Sequence, residues 1–256
     1  VEEVYFAGGE PLIMDEHYYI LEKLIEKKRF DVRIRYNTNL LKLKFKKWDN
    51  IELWKHFEHV NVLASLDAMD QRGEYIRKGT VWSTIEQNVD RVMEAVGKKD
   101  IMFSISPTIN LFNVKTTPEF VDWLMAKGLN MDKIHLNNVL TNPSWYHVNI
   151  LLDSDKEEII EKFGKHVDTI PEDQRSNLRG KYDSIIDYLK AMRHLEDGHA
   201  GPMSDEKLSW NLSKFYQVTD LLDKHRKENF LDVFPELESF YLKAKQEHWN
   251  RTHNGT

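Results

Sequence analysis

The stretch VEEVYFAGGEPLIMDEHYYILEKLIEKK, Val1–Lys28, decides how the rest of the chain is read. Val4, Tyr5 and Phe6 form a short apolar, β-prone run with the composition of a buried strand. Ala7, Gly8, Gly9, Glu10 and Pro11 break it. Two consecutive glycines carry no Cβ, so the backbone turns sharply there and leaves its amide groups open to another molecule. Pro11 holds Glu10 extended and brings no N–H of its own. Beyond it, Tyr18, Leu21, Leu24 and Ile25 recur on one helical face. The result is strand, glycine turn, acidic residue, helix. In a parallel sheet that turn lies at the carboxyl ends of the strands, where α/β proteins bind ligands. The Glu10 carboxylate and nearby carbonyls suit a cationic group such as an amine. The same residues also describe a plain βα turn, in which the glycines serve geometry and Glu10 stands near a helix N-terminus.

Outward from this unit the pattern repeats. DVRIRYNTNL (Asp31–Leu40) alternates Val32, Ile34 and Tyr36 with charged residues and ends in Asn-Thr-Asn, a strand with a polar tip. The basic run KLKFKK (Lys42–Lys47) suggests phosphate binding, but a solvated loop before a helix around Trp48–Phe57 is the preferred reading. HVNVLASLD (His59–Asp67) is a third strand, tipped by Ser65 and Asp67, and Thr80 or Ser83 suits the cap of a helix carrying Ile85, Val89, Val92 and Val96. IMFSISPTIN (Ile101–Asn110) is a fourth strand, tipped by Pro107, Thr108 and Asn110. Thr116 or Thr117 starts a helix with Phe120, Leu124 and Met125 inward, and KIHLNNVL (Lys133–Leu140) reads as a fifth strand. Alternating strands and helices argue for an α/β fold with an open parallel sheet of about five βα units, either a curved half-barrel or a doubly wound sheet. After about Leu152 the composition changes. Helical patterns occupy Asp153–Val167, Leu178–Leu195, Asp205–Lys224 and Pro235–Trp249. The expected organisation is a sheet domain over residues 1–152 and a helical C-terminal region over 153–256.

Composition narrows the function classes. The 256 residues are 41% hydrophobic and 30% charged, enough for one sizeable core or two modest ones. No apolar run approaches the roughly 18 residues of a membrane span, and nothing at the start resembles a signal peptide, so a cytoplasmic location without a membrane partner is expected. A formal charge of −6 argues against a nucleic-acid partner. There is no Cys, hence no disulfide, thiolate nucleophile or Cys-ligated metal. His194-Leu-Glu-Asp-Gly-His199 gathers two histidines and two carboxylates, for which a solvated helix end is preferred over a metal site. No G-x-S-x-G, Walker or G-x-G-x-x-G pattern occurs.

Val4–Pro11 resembles the GGEP motif of the radical S-adenosylmethionine (SAM) superfamily. In that family the motif ends the second strand of a partial (βα)6 barrel and binds the amino group of the methionine moiety, a role the resemblance gives to Gly8, Gly9, Glu10 and Pro11. Thr38 and Asn39 match the Thr-Asn end of the family's third strand. Ser65 and Asp67 match the polar end of the fourth, which faces the SAM ribose and carboxylate. EYIRKGTVWSTIEQNVDRV (Glu74–Val92) is similar to the segment that follows, and it puts Arg77 on the SAM carboxylate, which a guanidinium suits. The same resemblance sets Thr108, Asn110 and Asn113 near the ribose and adenine, and the backbone around Val139 against the adenine. It covers residues 1 to about 152 and is greatest to the branch with twitch-type auxiliary domains. It implies an enzyme that reductively cleaves SAM to a 5′-deoxyadenosyl radical, which takes hydrogen from a substrate the sequence does not identify.

The chain departs from that family at the cluster. Radical SAM enzymes carry CxxxCxxC after the first barrel strand to hold a [4Fe–4S] cluster, and such clusters need Cys thiolates. This sequence has none, and the strand that would carry the loop is absent from it. The cluster is therefore expected in the complete protein only, with this chain as its SAM-binding part and inactive as it stands. Val1 falls on a strand, so the sequence is expected to begin inside a domain. A preceding segment or a separate chain is expected to cover that strand's edge. Two other readings stay open: a non-catalytic binding or scaffolding domain derived from the same fold, and an unrelated α/β enzyme using Glu10 and Asp67.

Overall fold

Four parallel strands carry the first half of the molecule. The computed structural model describes residues 1–96, 100–190, 192, 193, 200, 201 and 203–253. The chain forms two compact units, Val1–Pro107 with Glu119–His135, and Thr108–Pro118 with Leu136–Thr256. The division expected at residue 152 thus falls inside the second unit.

In chain order the first unit contains β1 (Glu3–Phe6), α1 (Asp15–Glu26), β2 (Arg33–Thr38), a short hairpin of β3 (Lys44–Phe45) and β4 (Trp48–Asp49), and α2 (Asn50–Trp54). There follow β5 (Val60–Ala64), α3 (Asp70–Ile76), α4 (Trp82–Val96), β6 (Ile101–Ile105) and most of α5 (Thr117–Ala126). The sheet order is β1-β2-β5-β6, all parallel, in the order of the chain. A doubly wound sheet reverses its strand order partway across. This one does not.

Burial alternates along β2 and β5, whereas β6 exposes Met102 alone and β1 has no fully buried residue. Ile34, Tyr36, Val60, Val62, Ile101 and Phe103 are buried, together with Tyr18 and Leu21 of α1, Trp54 of α2, Ile85 and Val89 of α4, and Leu124 of α5. Tyr36 is the hub. Its ring stacks on Phe6 at 5.3 Å, meets Trp54 at 5.4 Å, and its hydroxyl lies 2.8 Å from His17 Nε2. Tyr5, Arg33, Arg35 and Met102, one residue out of phase, remain exposed.

Three sequence expectations are corrected here. Lys133–Leu140 is not a fifth strand: it keeps two isolated bridges, Ile105 to Ile134 and Ile109 to Val139. A turn at Leu136–Asn137 interrupts it, so its apolar residues gain burial without a ladder. The sheet consequently has four strands. The first N–H of α4, that of Trp82, is taken by the Glu74 carboxylate at 2.7 Å rather than by Thr80 or Ser83. The basic run forms the β3–β4 hairpin, where Lys46 pairs with Asp15 at 2.6 Å, Lys47 with Glu22 at 3.3 Å and Lys44 with Asp49 at 3.3 Å.

The second unit is helical, with α6 (Asp153–Thr169), α7 (Glu172–Lys190), α8 (Asp205–Arg226), α9 (Phe230–Val233) and α10 (Glu238–His253). The 3.6-residue patterns located all but α9, a single turn; α7 begins six residues before the expected Leu178, and the expected end at Leu195 lies outside the described residues. Ser204 caps α8 by accepting from the Lys207 N–H. Phe112, Phe215, Phe230, Phe234 and Phe240 pack ring against ring, with Phe112 5.5 Å from Phe234 and Phe215 4.9 Å from Phe240. Near the start of α6, Lys115 is buried with its Nζ 2.8 Å from Asp155 and 2.7 Å from Glu158. Burial works against that ammonium, and its two carboxylate partners outweigh the burial and raise its pKa.

Each unit buries one histidine with a nitrogen that has no hydrogen-bond partner among the described residues, Nδ1 of His17 and Nε2 of His147. Desolvation lowers both to about 4, with the charge of Lys156 adding to the effect at His147. Their ordinary value in the unfolded chain is near 6.5. Above that pH both states hold a neutral ring, and the stabilisation is fully present. Between about 6.5 and 4 the unfolded chain binds protons that the folded chain refuses, so stability falls as pH drops through this window. Urea denaturation should show midpoints decreasing stepwise from pH 7 to pH 4. A midpoint that rises on acidification would contradict the assignment.

Candidate functional site

The carboxyl ends of β1 and β2 are tied together through one side chain, that of Glu10, and β5 joins them through a backbone hydrogen bond. After Phe6 the chain turns through Gly8 and Gly9, whose φ values of +82° and +55° lie in the left-handed region that favours glycine. Nothing lies within 4 Å of where a Cβ would sit on either, so the turn is open on its outer side. Glu10 is extended, as a residue before proline should be, and caps the 3₁₀ turn Pro11–Ile13.

Its carboxylate accepts from Leu12 N–H at 3.2 Å, from the Thr38 hydroxyl at 2.7 Å and from Asn39 N–H at 2.7 Å. The Thr38 hydroxyl in turn accepts from Leu40 N–H at 3.0 Å, and the Asn39 side chain accepts from Leu41 N–H at 2.9 Å. Leu40 is buried at φ +58°, and Asn88 of α4 fastens this turn by donating to the carbonyls of Leu40 and Leu41. The Ser65 N–H donates to the Thr38 carbonyl at 2.9 Å. Glu10, Thr38, Asn39 and Ser65, which span 55 positions of sequence, are thus one hydrogen-bonded cluster.

Two residues after Ser65, Asp67 is buried and accepts from Arg77 Nε at 2.6 Å. Arg77 ends α3, and Gly73, one turn earlier, presses on the chain: a Cβ there would stand 2.5 Å from the Ala68 carbonyl oxygen. The close approach carries Arg77 back over Asp67.

The cluster can therefore offer three kinds of group to a ligand. The Gly8–Gly9 turn presents bare backbone, Ser65 a half-buried hydroxyl, and Arg77 a half-exposed guanidinium held by a buried carboxylate. The Glu10 carboxylate itself is already engaged at both oxygens.

Thr108, Asn110, Asn113 and Val139 belong to the second unit. Asn110 and Asn113 are buried and build a loop: both side chains donate to the Thr108 carbonyl, and Asn113 Oδ1 accepts from Asn110 N–H. The Thr108 hydroxyl accepts from Asn138, and Val139 sits in the bridge to Ile109. Both asparagines are accounted for by this loop.

The sheet also carries a polar face apart from the Glu10 cluster. Arg33, Arg35 and Asn37 alternate with Ile34 and Tyr36, and Asn61 alternates with Val60 and Val62. A sheet covered on both faces would show near-continuous apolar runs instead, so the alternation was itself the signal. Among the described residues no group of three or more His, Cys, Asp or Glu side chains is arranged to hold a metal ion. His194–His199 lies outside the described residues. No described helix is long and apolar enough to cross a membrane. Comparison of the sequence with models of protein families found no match, and neither did comparison with curated proteins.

Proposed function

We propose that this chain is the SAM-binding part of a radical SAM enzyme, with the methionine end of SAM at the Gly8–Gly9 turn. The observation that carries the reading is the open left-handed glycine turn beside the Glu10–Thr38–Asn39 cluster, at the carboxyl ends of parallel strands. The chain-ordered sheet with one uncovered face supports a partial barrel over a doubly wound sheet. Reductive cleavage of SAM would supply the radical chemistry.

The residues of this chain would bind and orient. The carbonyls of the glycine turn accept the amine, Glu10 holds that turn against β2, and the exposed side of Arg77 faces the carboxylate. Ser65 serves the ribose. A [4Fe–4S] cluster does not fit the residues present, because no thiolate is among them. Its ligands, and a strand along the free edge of β1, would come from residues outside this sequence or from another chain. A cytoplasmic location, no nucleic-acid partner and a twitch-type affiliation belong to the same proposal.

A second reading, a non-catalytic binding domain derived from this fold, is favoured by one specific observation. Glu10 and Arg77 already spend hydrogen bonds on Asn39, Thr38 and Asp67. Calorimetric titration with SAM separates the two. The first reading expects a dissociation constant near ~1 mM, the affinity of about 4 kcal/mol. Arg77→Ala should weaken binding by about threefold to tenfold through a lost charge-assisted contact, and Glu10→Gln by a similar factor through the turn that Glu10 holds against β2. Micromolar affinity indifferent to both substitutions would place the ligand elsewhere. Absence of saturation at tens of millimolar would leave the second reading.

A further inference from the structure

Helices α8 and α10 leave an aromatic groove beside the seam where they meet. They run antiparallel: the Ser209 hydroxyl donates to Glu247 at 2.8 Å, and further along α8 the Phe215 ring meets Phe240 at 4.9 Å. Phe240 and Ala244 of α10 are buried in this seam. Alongside lies a groove of about 700 Å³, formed by Tyr216 and Asp220 of α8 and by an α10 wall that runs from Leu242 through Lys245, Gln246 and Trp249 to His253. All of these residues belong to the second unit.

The α10 wall recurs at three- and four-residue steps, the spacing of one helical face. α10 thus has one face closed against α8 and a second face open, on which Leu242 and Trp249 are 53% and 59% exposed. Single exposed apolar residues are ordinary on a surface, but two large ones on one strip mark a contact surface. The Trp249 indole is stacked on the His253 ring at 3.6 Å, which holds it in place before any partner arrives. From Leu242 to His253 the strip is about 17 Å long, three turns at 1.5 Å per residue. That shape suits another helix better than a small molecule.

The charges narrow the choice of helix. Lys245, on the α10 flank, makes no ion pair among the described residues. Asp220, on the α8 flank, is paired at 2.7 Å with Lys224 of its own helix, and Lys224 is largely exposed. Such a surface pair is weak and exchanges readily. A strongly acidic or strongly basic partner would meet a like charge on one flank. A second copy, turned about a two-fold axis, instead sets Lys245 of each chain opposite Asp220 of the other. It also brings the open face of its own α10 to fill the groove.

We propose that this chain self-associates through α10, which lies in the α8–α10 groove of a second copy, with Leu242 and Trp249 as apolar anchors and Lys245–Asp220 pairs on both sides. The strip is smaller than a standard interface, so the dimer is a weak one, with a dissociation constant on the order of 10 μM. The proposal uses the second unit alone and does not depend on the SAM reading.

Sedimentation velocity of the full chain from about 1 μM to about 200 μM, a range that brackets this constant, tests it. The chain should pass from monomer to dimer and no further, because a two-fold contact closes on itself. Trp249→Glu should weaken association at least about thirtyfold, through loss of an aromatic anchor. Lys245→Glu alone and Asp220→Lys alone should each weaken it about tenfold, since each sets like charges together twice. Mixed in equal amounts, these two variants should recover the association of the parent, because their heterodimer has opposite charges at both contacts. Thermal melts followed by circular dichroism check that the variants fold, with Leu242→Glu replacing Trp249→Glu if that one does not. A chain monomeric at about 200 μM overturns the proposal and leaves the groove to a different partner. Growth beyond the dimer, association indifferent to the anchor variant, or a mixture no stronger than its components also overturns it. Dimers formed by a chain that fails to bind SAM uphold it and remove only the previous reading.

Discussion

Replacing Lys115 by Met is expected to destabilise the second unit by about 3 kcal/mol, the lower end of what breaking one side of a buried ion pair costs. Lys115 and Asp155 are both nearly inaccessible, and the pair is joined at 2.8 Å. Methionine keeps the length and apolar stem of the side chain but removes its charge. The Asp155 carboxylate, one oxygen of which already has no hydrogen-bond partner among the described residues, would then lie buried without its counterion. Glu158 is largely exposed and would turn to water, which limits the loss. The double variant Lys115→Met with Asp155→Asn should recover at least half of the deficit, since the stranded charge goes with the second substitution. Urea denaturation of the two single variants and the double variant measures this. A single variant within about 0.5 kcal/mol of the parent, the scale of an ordinary surface change, would show that the pair is not buried in solution.

Gly73→Ala should be nearly as costly, at about 2–3 kcal/mol, the range for forcing an atom into a filled site. The added methyl would stand 2.5 Å from the Ala68 carbonyl oxygen and 3.3 Å from its carbon, and backbone cannot rotate away as a side chain would. α3 must therefore shift, and with it Arg77 at its end. Gly164→Ala and Gly180→Ala provide the contrast. Both lie in helices with nothing within 4 Å of the new atom, and both should gain about 0.5–1 kcal/mol from helix propensity. Thermal denaturation with a nitrogen-15 spectrum of the Arg77 side chain reads both effects. If Gly73→Ala is as stable as Gly180→Ala, the close approach of α3 to Ala68 is wrong.

Periodicity was a good guide wherever one face of an element decides its burial. α6, α8 and α10 follow from apolar residues at helical spacing, and β2 follows from alternation in RIRYNT. It misled at Lys133–Leu140. Ile134, Leu136 and Val139 have the burial of a strand, but a strand also needs a continuous partner for its backbone, and the turn at Leu136–Asn137 breaks that continuity.

The sequence by itself determined the strand–turn–helix order at Val4–Ile25, the need for glycine at positions 8 and 9, and the absence of thiolate chemistry, because backbone permissiveness and side-chain chemistry are local properties. Tertiary structure alone decided what the polar residues do. Whether Glu10 meets a ligand or the neighbouring strand depends on which strands lie side by side, and whether Arg77 is free or held by Asp67 depends on where α3 packs. Hydrogen bonds and ion pairs act over about 3 Å, whereas Glu10 and Asn39 lie 29 positions apart and Arg77 and Asp67 lie 10 apart, so the sheet's register brings the first pair within range and the seat of α3 the second.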